Sequence, residues 1–190
     1  VKLQEHMMRN VFILVIIYLS GCSTGGGFLS NRILEIHSMG LNRVILQPNC
    51  STIVCTKGFA NEGDIWMTDI PIERIEAGDF QNGQIIHLQV LWTPVAGKTP
   101  LASTSTNLSI ELIIISDGHV GIYGGGGYCW MDGNPKDGMQ LYIEDATIAI
   151  QERGVGFSDL LTPATMNGRV RSMPDSVTAR QIANAAELLR

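Results

Sequence analysis

The sequence predicts a mainly β domain, an antiparallel β-sandwich or a barrel-like sheet with one short internal helix and a C-terminal helix. Many short runs are rich in Ile, Val and Thr, turn residues separate them, and few segments carry helical start and stop signals. An apolar content of 45% with only 16% charged residues suits a folded domain rather than a disordered chain. We therefore expect a single domain over residues 28–190.

The first half of this domain contains short strands and one helix. The strands are expected at Arg32–His37, Arg43–Gln47, Thr52–Thr56 and Ile65–Thr68. Pro71–Ala77 predicts a short helix, because Asp69 can cap its start and Gly78 suits its end.

The second half contains the most regular strands. Ile85–Trp92 alternates clearly, and its apolar face consists of Ile86, Leu88, Val90 and Trp92. Further strands are expected at Leu108–Ile115, His119–Tyr123, Tyr128–Met131, Gln140–Gln151 and Thr165–Ser172. Asp117-Gly118 is a strong hairpin signal. The apolar phase of Gln140–Gln151 changes midway, which predicts a β-bulge near Glu144-Asp145.

Three other segments complete the domain. Gly124–Gly127 is expected to interrupt the strand ladder where another backbone or a large ring approaches closely. Phe157–Leu161 is expected to form one helical turn before Pro163. The chain is expected to end in a helix that starts near Ser176 and is capped by Asp175.

The first 22 residues differ in pattern from the rest of the chain. Lys2 and Arg9 form a basic start, and the uncharged run Val11–Leu19 follows. This run is far shorter than the roughly 20 residues that a membrane-spanning helix needs. It leads directly into Leu19-Ser20-Gly21-Cys22, which resembles the lipobox of bacterial lipoproteins with a type II signal peptide.

The resemblance implies that residues 1–21 are removed at the Gly21–Cys22 bond and that Cys22 is lipidated. Acyl chains such as palmitate then anchor the protein, because each buried CH₂ contributes about 0.8 kcal/mol. Residues 22–27 would form a short Gly-rich tether. The implied location is the outer membrane or periplasmic face if the cell has an outer membrane, and otherwise the outer face of the cell membrane.

Export permits disulfides, and three cysteines follow the anchor. We favour a bridge between Cys50 and Cys55 across a tight loop. Cys129 is then expected to be a buried free thiol. Zinc is disfavoured, because the chain has neither a Cys-x-x-Cys pair nor a nearby pair of histidines.

Several ligand classes are disfavoured by charge and spacing. A net charge of −5 gives no electrostatic footprint for nucleic acid. The glycine run at 124–127 leads into a strand rather than a helix, unlike a phosphate loop. Asp132–Gly138 resembles a calcium loop only superficially, since Lys136 stands at a ligand position and Ile143 at the twelfth. We expect no metal and no cofactor.

Two sets of residues are candidates for a site. A ligand groove could be formed by the neighbouring aromatic residues beside the long polar loop Thr93–Asn107: Trp92, Tyr123, Tyr128 and Trp130. A hydrolase would use His119 or His87 with a nearby carboxylate. No nucleophile signature accompanies either histidine. The sequence therefore favours a non-catalytic interaction or structural module with an envelope protein partner, and a small-ligand-binding module is the alternative.

Overall fold

A single sheet of nine strands dominates the part of the chain that the computed structural model describes, residues 34–41, 43–57, 62–97 and 105–190. The strands are β1 (Leu34–Ser38), β2 (Ile45–Leu46), β3 (Thr52–Lys57), β4 (Gly63–Thr68), β5 (Gly83–Val90), β6 (Leu108–Ser116), β7 (His119–Asn134), β8 (Gly138–Arg153) and β9 (Ala164–Pro174). The helices are α1 (Ile72–Ala77) and α2 (Ser176–Leu188). The expected mainly β fold class with a C-terminal helix is confirmed.

The last strand, β9, closes the sheet on itself. β3 to β8 form an antiparallel series in chain order, and β9 is antiparallel to β8 from Met139↔Ser172 to Ile148↔Ala164. On its other edge β9 pairs with β1 and, in parallel, with β3 at Val54↔Met173. The result is a barrel-like ring of strands. β1 pairs with the same edge of β9 as β3 does, and β2 pairs with β1.

Buried apolar side chains fill the interior of this ring. Each strand alternates, so every second side chain points inward. The inward residues are almost fully buried and form one continuous core, among them Ile36, Met67, Leu88, Leu112, Leu141 and Met166. The described strands therefore enclose a packed apolar core.

Both helices cover the outside of the ring. α2 lies against β3, β4 and α1, where it buries Ala179 and Ile182 in a second apolar cluster. Asp175 caps α2 as expected, because its carboxylate accepts the N–H groups of Val177 and Thr178. Gly78 ends α1 at φ 67°, again as expected.

The glycine run lies within β7 and does not break the strand. A Cβ on Gly125 would stand 1.9 Å from the Thr147 carbonyl oxygen, and one on Gly127 would stand 2.5 Å from the Ala146 Cα atom. Glycine is therefore required for the close approach of β8. The register shifts nearby, and the bulge expected in β8 lies between Ile143 and Ala146, with Asp145 at φ 49°.

The predicted Cys50–Cys55 bridge is not formed in the structure, where Cys50, Cys55 and Cys129 are free, buried thiols. β3 already begins at Thr52, so an extended strand occupies the place of the tight loop that a bridge needs. Burial, with the charge of Asp69, raises the pKa of Cys50 to about 12. Burial also raises the pKa of Cys129 to about 12, so both thiols are protonated and unreactive.

Two local predictions are wrong. Asp69 does not cap α1, because its carboxylate instead accepts the backbone and side-chain N–H groups of Gln84 on β5. Phe157–Leu161 forms no helical turn; Asp159 instead holds this irregular segment by accepting the backbone N–H groups of Leu161 and Thr162.

Asn107 connects three strands where β6 begins. Its buried side-chain amide donates to the carbonyl oxygens of Trp92, at 3.1 Å, and Cys129, at 2.9 Å. Its side-chain oxygen accepts the Cys129 N–H at 2.8 Å. The end of β5 and the middle of β7 are thereby fixed relative to each other.

We predict that Asn107→Ala lowers the free energy of unfolding by about 2–4 kcal/mol, because it leaves buried backbone groups without partners. Urea denaturation measures the change. Asn82→Ala is the matched control, since the exposed Asn82 side chain accepts only the N–H of Asp117. A loss of similar size in both variants would contradict the role assigned to Asn107.

Candidate functional site: an aromatic belt on the outer surface

β7, β8 and β9 place a row of large side chains on the outside of the ring. The inward residues on these strands are fully buried: Cys129, Leu141 and Val170. Their neighbours Trp130, Tyr142 and Arg169 therefore point outward. Trp130 pairs with Tyr142, and Tyr142 pairs with Arg169, so the three side chains are direct cross-strand neighbours.

Two more rings extend this row. The Tyr128 ring meets Trp130 edge to face, with centroids 5.4 Å apart and an interplanar angle of 83°. Trp92 meets Tyr128 in the same manner at 6.3 Å. At the other end, the Arg169 guanidinium carbon lies 4.4 Å from the Tyr142 ring centroid, within the range of a cation–π interaction. We call the set Trp92, Tyr128, Trp130, Tyr142 and Arg169 the aromatic belt.

Hydrogen bonds to the backbone fix the Trp92–Tyr128 end of the belt. Trp92 donates its indole N–H to the Thr106 carbonyl oxygen at 3.0 Å. The Asn107 side chain donates to the carbonyl oxygen of Cys129 and accepts its N–H, next to Tyr128. Trp130 remains 42% exposed at the centre of the belt. The rings are thus positioned in advance, and one large apolar face is available to a partner.

The Tyr128 hydroxyl has no hydrogen-bond partner among the described residues, although almost none of its oxygen surface is exposed. Loss of hydration, with the nearby Cys129, raises the pKa of this phenol, so it stays protonated. A buried hydroxyl without a partner is unusual in a native structure.

Three of the four aromatic residues expected in a groove belong to the belt, and Tyr123 does not. Tyr123 is 1% exposed inside the ring, where it contacts Phe157 and donates its hydroxyl to Asp159 at 2.9 Å. It stands five positions before Tyr128 on the same strand, and an odd spacing places two side chains on opposite faces. The prediction of one groove containing both tyrosines is therefore wrong.

Tyr142 and Arg169 were not expected in the site. Gln140 and Tyr142 alternate with buried residues along β8, and Arg169 and Arg171 do the same along β9. This period of two in the sequence indicates that these residues face outward. It does not show that they lie next to Trp130, because that depends on which strands pair in the closed sheet.

A cavity of about 450 Å³ opens beside the belt, at the hairpin between β7 and β8. Asp132, Gln140 and Arg171 form its wall and are themselves a register row, two residues along each strand from Trp130, Tyr142 and Arg169. Belt and cavity are consequently parts of one surface. The predicted loop Thr93–Asn107 is described only at residues 93–97 and 105–107.

The two histidines of the hydrolase hypothesis lie on different strands. The His87 Nε2 atom is 3.5 Å from the Asp64 Oδ1 atom, and its imidazole stacks flat on Trp66 at 3.8 Å. Within the described residues, no hydroxyl or thiol is hydrogen-bonded to His87. His119 lies against Gly156. The geometry offers an acid–base pair at His87 without a nucleophile beside it.

The described residues contain neither a candidate metal centre nor a helix that could span a membrane. No group of three or more His, Cys, Asp or Glu side chains there is arranged to hold a metal ion. Neither helix in that part of the chain has the length and apolar character needed to span a bilayer. Comparison with protein-family models, curated proteins and solved structures finds no match to this chain.

We predict that Asp159→Asn destabilises the protein at neutral pH and that the difference shrinks below about pH 4. Burial disfavours the Asp159 carboxylate, but hydrogen bonds from Thr162, Tyr123 and Leu161 outweigh burial and hold its pKa below the ordinary value. Because the folded-state pKa is the lower one, its contribution is present above the unfolded-state pKa. It is lost as pH falls through the folded-state pKa.

Denaturation midpoints measured across pH check this prediction. Asp145→Asn provides the same charge change at an exposed position where asparagine tolerates the positive φ. A pH-independent difference between Asp159→Asn and the parent would show that the ionised carboxylate does not stabilise this segment.

Proposed function

We propose that the protein is a membrane-anchored lipoprotein of a bacterial cell envelope and acts as a non-catalytic interaction module. The aromatic belt is its binding surface, and an envelope protein is its partner. The observation that carries this proposal is the exposed register row Trp130–Tyr142–Arg169 on the outside of a filled ring. Trp, Tyr and Arg are the residue types that supply most of the binding energy at protein interfaces.

Rigid presentation of the belt supports this function. Rings that are already ordered lose little conformational entropy on binding, so more of the interaction energy appears as affinity. The apolar interior supports it as well, because the inward side chains of the described strands form one continuous packed core. A short tether after Cys22 would keep the belt close to the membrane where its partner resides.

Small-ligand binding is the second candidate function. The cavity beside Asp132, Gln140 and Arg171 favours it, since a volume of about 450 Å³ is within the usual size range of ligand sites. Native mass spectrometry of protein extracted from envelopes separates the two functions. A bound small molecule without a protein partner would favour the second.

We predict that Cys22→Ala abolishes labelling by a fatty-acid analogue and releases the protein from the membrane fraction. The reason is that thioether formation requires the Cys22 sulfur and that stable anchoring requires more than one acyl chain. Fractionation and labelling of whole cells measure both effects. Unchanged labelling and membrane retention would refute the anchor.

We predict that a photo-reactive phenylalanine analogue at position 130 cross-links one envelope protein in intact cells, while the same group at position 177 does not. Val177 is a matched control, since it is 67% exposed on α2 and outside the belt. Trp130→Ala is expected to weaken the purified complex at least about tenfold. Equal cross-linking from both positions, or none from position 130, would contradict the proposed surface.

A further inference from the structure

The strand at one margin of the belt carries two arginines on its outer face. Arg169 and Arg171 alternate with the buried Val170 along β9, so both project outward, about 7 Å apart. Met173 continues the row and is 63% exposed. The outer face of β9 therefore presents two cations followed by an apolar side chain.

Neither arginine is neutralised by the described part of the protein. Arg169 contacts the Tyr142 ring, and no carboxylate of the described residues lies within ion-pair distance of Arg169 or Arg171. By contrast, Arg74 is paired with Asp79, and Arg190 with Glu111 and Glu187. The two guanidinium groups thus give this face a local positive charge in a chain whose net charge is −5.

The acidic residues on the same outer surface lie on the neighbouring strands. The one beside β9 is Glu35 on β1, which faces Asn167, and its carboxylate already accepts a hydrogen bond from Gln47. Glu144 pairs with Tyr128, and Asp132 stands across Gln140 from Arg171, two strand spacings or about 10 Å away. Asp137, in the turn that joins β7 and β8, also lines the cavity. Negative charge on a ligand is thus favoured over β9 and disfavoured over the β7–β8 hairpin, which gives the surface a polarity.

We infer that the belt recognises an extended acidic segment of its protein partner, with carboxylates at alternate positions over Arg169 and Arg171. The inference rests on the proposed interaction function and names the chemistry of the partner. Alternate side chains on one face of an extended peptide are about 7 Å apart, which matches the spacing of the two arginines. Each guanidinium offers a planar pair of N–H donors that suits a carboxylate.

The remaining contacts follow from this placement. An apolar residue two positions further along the segment would cover Met173, and the aromatic belt would pack against the side of the segment away from β9. The belt then supplies the apolar contact area. The two arginines favour an acidic segment and fix which of its residues lie over β9. A neutral segment of the same shape would bind more weakly, because it leaves the two guanidinium groups without partners.

The test uses the mature, lipidated protein in detergent and a fluorescent seven-residue peptide in which glutamate alternates with threonine. Fluorescence anisotropy is expected to show binding that weakens as salt is raised. Arg169→Gln with Arg171→Gln is expected to reduce affinity about tenfold. A second peptide has glutamine in place of glutamate. The parent protein is expected to bind it as weakly as the double arginine variant binds the acidic peptide.

Arg153→Gln with Arg180→Gln is the matched control, since both residues are exposed and the double change removes the same charge. It is expected to bind the acidic peptide like the parent. Equal losses in the two double variants, or equal binding of the glutamine peptide, would overturn the inference. Equally tight binding of inorganic polyphosphate would overturn the assignment to a peptide, because it would show recognition of any polyanion.

Failure of this inference is distinguishable from failure of the proposed function. If position 130 cross-links an envelope protein, but the complex is insensitive to salt and to the loss of both arginines, the interaction surface stands and the acidic segment does not. If position 130 captures no protein, the proposed function itself fails.

Discussion

The structure depends on the double pairing of β9. This strand is hydrogen-bonded to β8 along one edge and to β1 and β3 along the other, so it converts a linear antiparallel series into a closed ring. In the closed sheet, strand residues alternate between those that face the core and those that face outward. The core supplies the apolar burial that stabilises the ring, while the outer positions that the helices do not cover are available for recognition.

The belt is a direct consequence of this closure. Tyr142 lies beside Arg169 only because β8 and β9 are neighbours, and it lies beside Trp130 only because β7 and β8 form a long hairpin. The glycines in β7 permit the close approach of β8, and the bulge at Asp145 restores the inward phase of Ala146. Features that adjust backbone packing therefore also determine which side chains meet on the surface.

Sequence reasoning predicted much of the fold and part of the site. The strand periods, the Asp175 cap, the Gly78 end of α1 and the bulge near Glu144-Asp145 are local properties, and the structure has all of them. Trp92, Tyr128 and Trp130 do cluster, because Tyr128 and Trp130 are two residues apart on β7 and the Asn107 side chain bonds to both Trp92 and Cys129. Tyr123 was misplaced because the glycine run was expected to interrupt the strand, whereas β7 continues through it and alternation puts Tyr123 and Tyr128 on opposite faces.

The sequence by itself determined a mainly β fold with a terminal helix, and its stretch Leu19–Cys22, which lies outside the described residues, predicts a lipid anchor. Both depend on residue type and order over short distances. Only the tertiary structure decided that the sheet closes and that Asp69 accepts hydrogen bonds from Gln84 instead of capping α1. It also decided that the Arg169 guanidinium lies against the Tyr142 ring at the end of the aromatic belt. These outcomes join residues far apart in the chain, so they follow from strand pairing and register, which local patterns do not specify.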